Sequence, residues 1–400
     1  MLWKKVFAAP RIYADAAAAT PLSRAVEREL LRLLPVYGNA GALHSEALRA
    51  KDELEKARAT IASAIGAHPD EIIFTASGTE ANNLAIDGVL RPLLQVHGEL
   101  HAMTLPIEHQ SVLEPLKALE REGLYTTLVP VDAAGLPVQP MREYINDETV
   151  FVSVQLVNSE IGTIEPVRDI ARELRHIRKE RKEKGNTLPL YLHCDASQAP
   201  LWIVLRVDAL GVDLLTLDAQ KILGPKGVGA LFVRRQTEIE SVIRGGVQEF
   251  GLRGGTPNVP LAGAFAVALK DAQRGVDARV THVCVMRDLL FTTIKKSFPD
   301  LLLNGPTLGQ DRVANNINIS LPGLDGEMAV VALDAEGVAV STRSACSAGD
   351  EEPSHVIKAI GVPKPLAKTA IRITLLPTST AAEVNIIARR FAAVAQRYRT

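Results

Sequence analysis

The chain has little of several things, and each shortage removes a class of function. Its 400 residues include only three cysteines, Cys194, Cys284 and Cys346. That odd count shows no metal-ligand spacing and forms no disulfide framework, so it fits a reducing compartment. Net charge is −1, so no polyanion partner is suggested. No run of eighteen apolar residues occurs, so no transmembrane helix is expected. The start, MLWKKVFAAP, is broken by Pro10 and Arg11 and is too short for a signal peptide. Internal repeats and low-complexity linkers are also lacking. The composition, 47% hydrophobic and 23% charged, is that of an ordinary globular protein, here expected in the cytoplasm.

What is present is an alternation of helical patterns with short apolar strands, which argues for an α/β protein with a largely parallel sheet. Strands are expected at 71–75, 149–154, 190–193, 214–217 and 230–233, with another near 102–106. Helices are expected at 45–65, 80–90, 111–122 and 167–183. The last carries mixed-sign charge and reads as a solvated face. After about residue 275 the pattern changes. A helix at 276–297 leads to a half-buried strand at 314–320, two more strands at 338–341 and 370–374, and a closing helix at 381–398. The division expected is a large unit at 16–275 and a smaller α+β unit at 1–15 plus 276–400.

Two runs point to chemistry. Leu192–Gln198 (LHCDASQ) and Leu215–Gly227 (LTLDAQKILGPKG) each read as an apolar strand ending in polar residues. Ligands in α/β sheets bind beyond the carboxyl ends of strands, so Asp195, Gln198 and Lys221 are aimed at one crevice. A lysine with an acidic partner suits pyridoxal phosphate; a plain Asp–Lys salt bridge is the competing account. Thr75–Asn83 (TASGTEANN) follows a strand and opens a helix, placing Gly78 and Thr79 where free N–H groups favour a phosphate, or where Ser77 or Thr79 is simply a cap. His109, at a strand end, has the shape to stack on a flat ring. Asn158 places an amide at another strand end. Arg244–Pro257 (RGGVQEFGLRGGTP) is a glycine-rich loop with two arginines. Ser341–Pro353 (STRSACSAGDEEP) surrounds Cys346 with small and polar residues, which argues for an exposed, movable thiol. Cys194 and Cys284 read as core.

With these runs in place, the chain resembles the cysteine desulfurases, fold-type I pyridoxal-phosphate enzymes of the class-V aminotransferase group. The likeness runs from Tyr13–Pro21 (YADAAAATP), through Tyr37–His44 (YGNAGALH), to Ile371–Leu375 (IRITL). It implies a mainly parallel seven-stranded sheet and a homodimer. It implies pyridoxal 5'-phosphate bound through Lys221, with Asp195 at the pyridine nitrogen and Gln198 at the phenolic oxygen. His109 would lie on the ring and shuttle protons. Thr79 and Gln220 would hold the phosphate, and Thr256 would reach the phosphate of the neighbouring subunit. Asn158, Arg372 and Asn39 would bind the substrate, L-cysteine. Cys346 would take the sulfur as a persulfide for an iron–sulfur scaffold or another acceptor such as the tRNA thiolation machinery. Selenocysteine lyase, a class-V aminotransferase and a silent scaffold are the rival functions.

Two departures stand out. Where the family commonly reads Ser-x-His-Lys, this chain reads Asp218, Ala219, Gln220 and Lys221. An anionic Asp218 repels a phosphate unless it points away or Arg253 or Arg244 compensates. Thr342 and Arg343 also replace small residues before the cysteine loop, and the segment after Arg372 lacks a second basic residue.

Overall fold

The computed structural model describes residues 11–342 and 353–399. From the amino terminus come β1 (Ile12–Tyr13), α1 (Arg24–Leu33), α2 (Ser45–Ile65), β2 (Ile72–Thr75), α3 (Gly78–His97), β3 (Leu100–Thr104), α4 (Gln110–Leu119), β4 (Leu124–Leu128) and β5 (Thr149–Ser153). Next are α5 (Val167–Glu183), β6 (Tyr191–Asp195), α6 (Val207–Leu210), β7 (Leu214–Asp218), β8 (Gly229–Val233), α7 (Val259–Ala272) and α8 (Val276–Ser297). The chain closes with β9 (Leu302–Leu303), β10 (Asn316–Ser320), α9 (Gly326–Ala335), β11 (Val338–Ala339), α10 (His355–Ala359), α11 (Lys364–Ala367), β12 (Ala370–Thr374) and α12 (Ala381–Tyr398).

Seven strands form the main sheet in the order β2-β8-β7-β6-β5-β3-β4. β8 runs antiparallel to both neighbours; the other pairs are parallel. β2, β3, β5, β7 and β8 are buried at every position. Burial at every position of largely apolar strands is the signature of a sheet covered on both faces. One cover is α3 with α4, whose Leu84, Ile86, Leu90 and Leu116 pack with Ile73, Phe151, Leu214 and Leu231 of the sheet. From β3 the chain steps outward to β4 and then returns to the other side of β3 to lay down β5. The switch point therefore lies between β3 and β5, where a crevice opens at the strands' carboxyl ends.

α3 runs seven residues past its expected end, straight through Pro92. Proline removes the bond to the carbonyl four residues back. Here that carbonyl, on Gly88, accepts instead from the Glu240 N–H at 2.9 Å, so the helix continues without an orphaned acceptor. α5 also differs from expectation, because not all its charge is solvated. Arg181 is buried and donates to the carbonyls of Thr149 and Asn146, while Arg178 donates to the Leu190 carbonyl and pairs with Asp213. Both tie the helix to strand ends.

The carboxyl-terminal sheet is antiparallel, ordered β12-β10-β9, with Asn318 opposite Arg372. β10 alternates polar and apolar residues, but every position is buried rather than one face. Its polar face is satisfied inside: Asn316 and Asn318 each donate to the Glu160 carbonyl at 3.1 Å, and Asn304 donates to Asn318 Oδ1 and Ser320 Oγ. β1 pairs with β11, tying the amino-terminal segment to the carboxyl-terminal region. Cys194 is fully buried, whereas Cys284, expected in the core, is half-buried at the edge of an apolar cavity beside Arg287 and Trp202.

Candidate active site

A cavity of about 270 Å³ occupies the crevice at the strand ends. Each wall comes from one carboxyl-terminal end: His109 and Ser111 after β3, Gln155 and Val157 after β5, Asp195 and Gln198 at and after β6, Asp218 and Lys221 at and after β7. Arg372 of β12 and, from the turn after β1, Ala17 and Ala18 close it. Asp195 and Lys221 thus face one space because adjacent parallel strands end together.

The acid is held by a network. Asp195 Oδ1 accepts the Ser197 N–H at 2.9 Å, and Oδ2 accepts from Asn82 Nδ2 at 2.9 Å. Asn82 Nδ2 also donates to Ser111 Oγ at 2.8 Å. A carboxylate only accepts, so it fixes which end of the amide faces it. Ser111 Oγ in turn lies 2.7 Å from His109 Nδ1, and the Ser111 backbone N–H also donates to Nδ1 at 3.1 Å. His109 Nδ1 is therefore an acceptor, and its ring proton sits on Nε2. Asn82 Oδ1 is buried without a partner among the described residues. Asn82 falls inside the run Thr75–Asn83 and Ser111 opens an expected helix, yet spacing gave no sign of this link. Their side chains meet only because α3 and the start of α4 pack side by side.

Lys221 Nζ donates to the carbonyls of Ala17 (3.0 Å) and Ala18 (2.6 Å). Gln198 Nε2 donates to the same Ala17 carbonyl at 2.9 Å. Arg372 is 1% exposed, pairs with Asp15 at 2.8 Å, and donates to the Ser159 carbonyl; its Nε has no partner among the described residues. Two buried carboxyls lie close by. Burial pushes the Glu108 carboxyl well above its usual range, against the pull of the Gln155 N–H it accepts, and the Asp195 charge raises it further. Burial likewise raises Glu165, whose two oxygens have no partner among the described residues. Behind the wall, burial lowers His193 to about 4, so it stays a neutral bridge between Ser153 and Thr216.

Three expected residues stand elsewhere. Asn158 does not line the cavity. Its Nδ2 donates to the Ile107 carbonyl and its Oδ1 accepts from the N–H groups of Glu160 and Ile161, so the side chain braces the loop after β5. Asn39 is exposed and its Oδ1 accepts the Gly41 N–H. Thr256 is exposed on the glycine-rich loop, beside a second cavity with Arg253 and Glu249. Cys346 and Arg343 lie outside the described residues.

The chain matches the model of the class-V aminotransferases over residues 12–387. It belongs to that family. It is 41% identical to the cysteine desulfurase IscS of Dictyoglomus turgidum over 94% of this chain and 92% of that protein. Among solved structures, a NifS-like protein matches with a TM-score of 0.86 and 30% identity, covering 97% of this chain and all of that one. SspA in complex with cysteine matches with a TM-score of 0.76 and 32% identity, over 92% and 99% of the two chains. No described helix is long and apolar enough to cross a membrane.

The family's cofactor is pyridoxal 5'-phosphate, and the residues present fit it. An acid and a lysine share one cavity with an imidazole. A β-carbon on Gly78 would stand 3.0 Å from Ser197 Oγ and 3.1 Å from Asp218 Cβ, tighter than ordinary contact, so glycine leaves room at the α3 amino terminus. Asp218 is the one wall residue whose charge opposes the fit.

Proposed function

We propose that Lys221 and Cys346 divide the chemistry between a fixed cavity and a cysteine loop, the first holding the cofactor and the second receiving sulfur. The chain is a pyridoxal-phosphate-dependent cysteine desulfurase: it converts L-cysteine to L-alanine and retains the sulfur as a persulfide on Cys346, for iron–sulfur cluster assembly. The observation that carries this reading is the shared cavity of Lys221 and Asp195 at the ends of β7 and β6.

When bound, pyridoxal phosphate supplies an electron sink for charge developing at the substrate's α-carbon. Asp195 would hold a proton on the pyridine nitrogen, and the Asn82 and Ser197 donors fix the orientation of its carboxylate. Lys221 would hold the cofactor covalently, and its amine, freed when the substrate amine takes its place, would move the α-proton. The unpartnered Nε of Arg372 is the donor left for the substrate carboxylate, with Asp15 fixing the guanidinium. His109 presents Nε2–H to the cavity. The Cys346 thiolate attacks the substrate sulfur; the sulfur–Cβ bond breaks and its electron pair is protonated to give the alanine methyl group. Asn158 and Asn39 act on the binding loops rather than as direct ligands.

The residue ranges 16–275, and 1–15 with 276–400, divide as the cofactor-holding unit and the unit carrying Arg372 and Cys346. The working form is a homodimer. Leu31, Leu34, Tyr37, Leu43, Val247 and Phe250 are exposed apolar residues, more than an isolated surface needs, and Thr256 faces outward on the same loop as Val247 and Phe250. A second copy covering them brings Thr256 to its phosphate. The compartment is the cytoplasm, in keeping with few cysteines.

The test is incubation with L-cysteine while alanine and sulfide are followed, in wild type and Cys346→Ser. Loss of both products in the variant is expected. Equal alanine from both proteins overturns the role of the thiol and returns the chain to the lyases and aminotransferases.

A further inference from the structure

The end of the cavity beneath α3 carries a carboxylate where a phosphate is to sit. Asp218 closes β7 and is 7% exposed. It does not point away: its Oδ2 lies 3.3 Å, and its Cβ 3.1 Å, from where a β-carbon on Gly78 would stand. Gly78 is the first residue of α3, so the carboxylate lies against the amino-terminal end of that helix, where free N–H groups favour a phosphate. Gln220 holds it there, its backbone N–H donating to Oδ1 at 3.2 Å and its Nε2 to Oδ2 at 3.0 Å. Neither arginine compensates. Arg253 gives its Nε to Glu80 at 2.9 Å, and Arg244 stands beside Glu240 and Arg91 at a separate cavity. Among the described residues no cation lies within ion-pair distance of Asp218. The charged or titratable groups that share the cavity with it are Asp195 from β6, Lys221 from its own turn, His109 after β3 and Arg372 of β12.

Two anions occupy adjoining places when a proton lies between them. A phosphate ester loses its second proton at about pH 6, so its monoanion still has a P–OH to donate. We infer that Asp218 selects the cofactor with its phosphate singly ionised, accepting the P–OH while the α3 N–H groups take the other phosphate oxygens. Gln220 is a positioning residue that keeps the carboxylate turned toward Gly78. A serine at this place donates to a dianion; an aspartate turns it away. The inference rests on the pyridoxal-phosphate reading above.

The sign of the pH effect follows. Above about pH 6 the free cofactor has lost the phosphate proton that the bound form keeps, so binding takes up a proton. Affinity falls with rising pH, by up to about tenfold per unit. Proton exchange at Lys221 is common to wild type and variant and cancels in their ratio.

The experiment is phosphorus-31 NMR of the reconstituted protein from pH 6 to 8.5, with equilibrium dialysis of pyridoxal phosphate in parallel, on wild type, Asp218→Ser and Asp218→Asn. In the wild type the resonance is expected at the monoanion position throughout. In each variant it is expected at the dianion position at pH 8, and the wild-type to variant ratio of Kd should climb with pH. A wild-type resonance at the dianion position, or a Kd ratio flat with pH, overturns the inference; the NMR arm on wild type decides even if neither variant folds. The visible absorbance of the lysine-bound cofactor separates the two levels. With that band present and a dianion resonance, only the Asp218 inference fails. With no band at saturating cofactor, the cofactor assignment fails and this inference goes with it.

Discussion

The two ends of the cavity are built differently. At the ring end, Asp195, Asn82, Ser111 and His109 form one chain of hydrogen bonds in which each donor is matched to an acceptor. At the phosphate end, a helix amino terminus meets Asp218, a side chain of the wrong sign for its expected guest. The ring end is preorganised without the cofactor, because its charges and donors already satisfy one another. The phosphate end is satisfied only when a proton enters with the ligand. A single pocket can therefore hold one half of a cofactor rigidly and the other half conditionally.

The strongest way to break the comparison is at the lysine. Lys221→Ala removes the covalent anchor, and alanine formation should fall by about 10³-fold or more with loss of the visible band; a variant that keeps the band places the anchor elsewhere. Asn82→Ala strips one donor from Asp195 and one from Ser111. Hydrogen bonds to charged groups contribute about 1.5–3 kcal/mol, so kcat should drop about 10- to 100-fold, readable as a changed cofactor absorbance. An unchanged spectrum and rate would make the network ornamental. Ser111→Ala releases the His109 tautomer but leaves Asp195 held, and kcat should fall by about fivefold, the equivalent of one neutral hydrogen bond. A loss as large as that of Asn82→Ala would mean the chain is not read in this order.

The smallest effect concerns Glu165, buried near the site without a partner among the described residues. Burial raises its carboxyl in the folded state, so its contribution to stability is full below its unfolded value and is lost as pH rises toward the raised one. Glu165→Gln should therefore stabilise the protein by about 1 kcal/mol more at pH 8 than at pH 5, seen as a difference between melting temperatures. An equal shift at both pH values would show that ionisation is not what burdens this position.

Much of the architecture was legible beforehand. α2, α5, α8, α12 and β12 begin and end where the sequence pattern places them. β4 escaped because Leu124–Leu128 alternates weakly and is partly exposed; α1 is short but amphipathic and capped by Ser23, so its pattern was there to be read. At the site, Asp195, Gln198, Lys221, His109, Thr79, Gln220 and Arg372 line one cavity, as their motifs suggest. Asn158 and Asn39 illustrate the limit: an amide at a strand end reads the same whether it meets a ligand or its own backbone, and here both meet backbone.

The order of residues alone determined the strands, their polar endings and the identity of the groups at the crevice, since these depend on local periodicity and residue chemistry. Tertiary structure decided which groups share hydrogen bonds. Asn82 meets Asp195 across 113 positions, Arg372 meets Asp15 across 357, and Asp218 faces Gly78 rather than an arginine. Such pairings depend on how helices and strands pack, and no spacing along the chain encodes a distance between elements that fold from opposite ends of it.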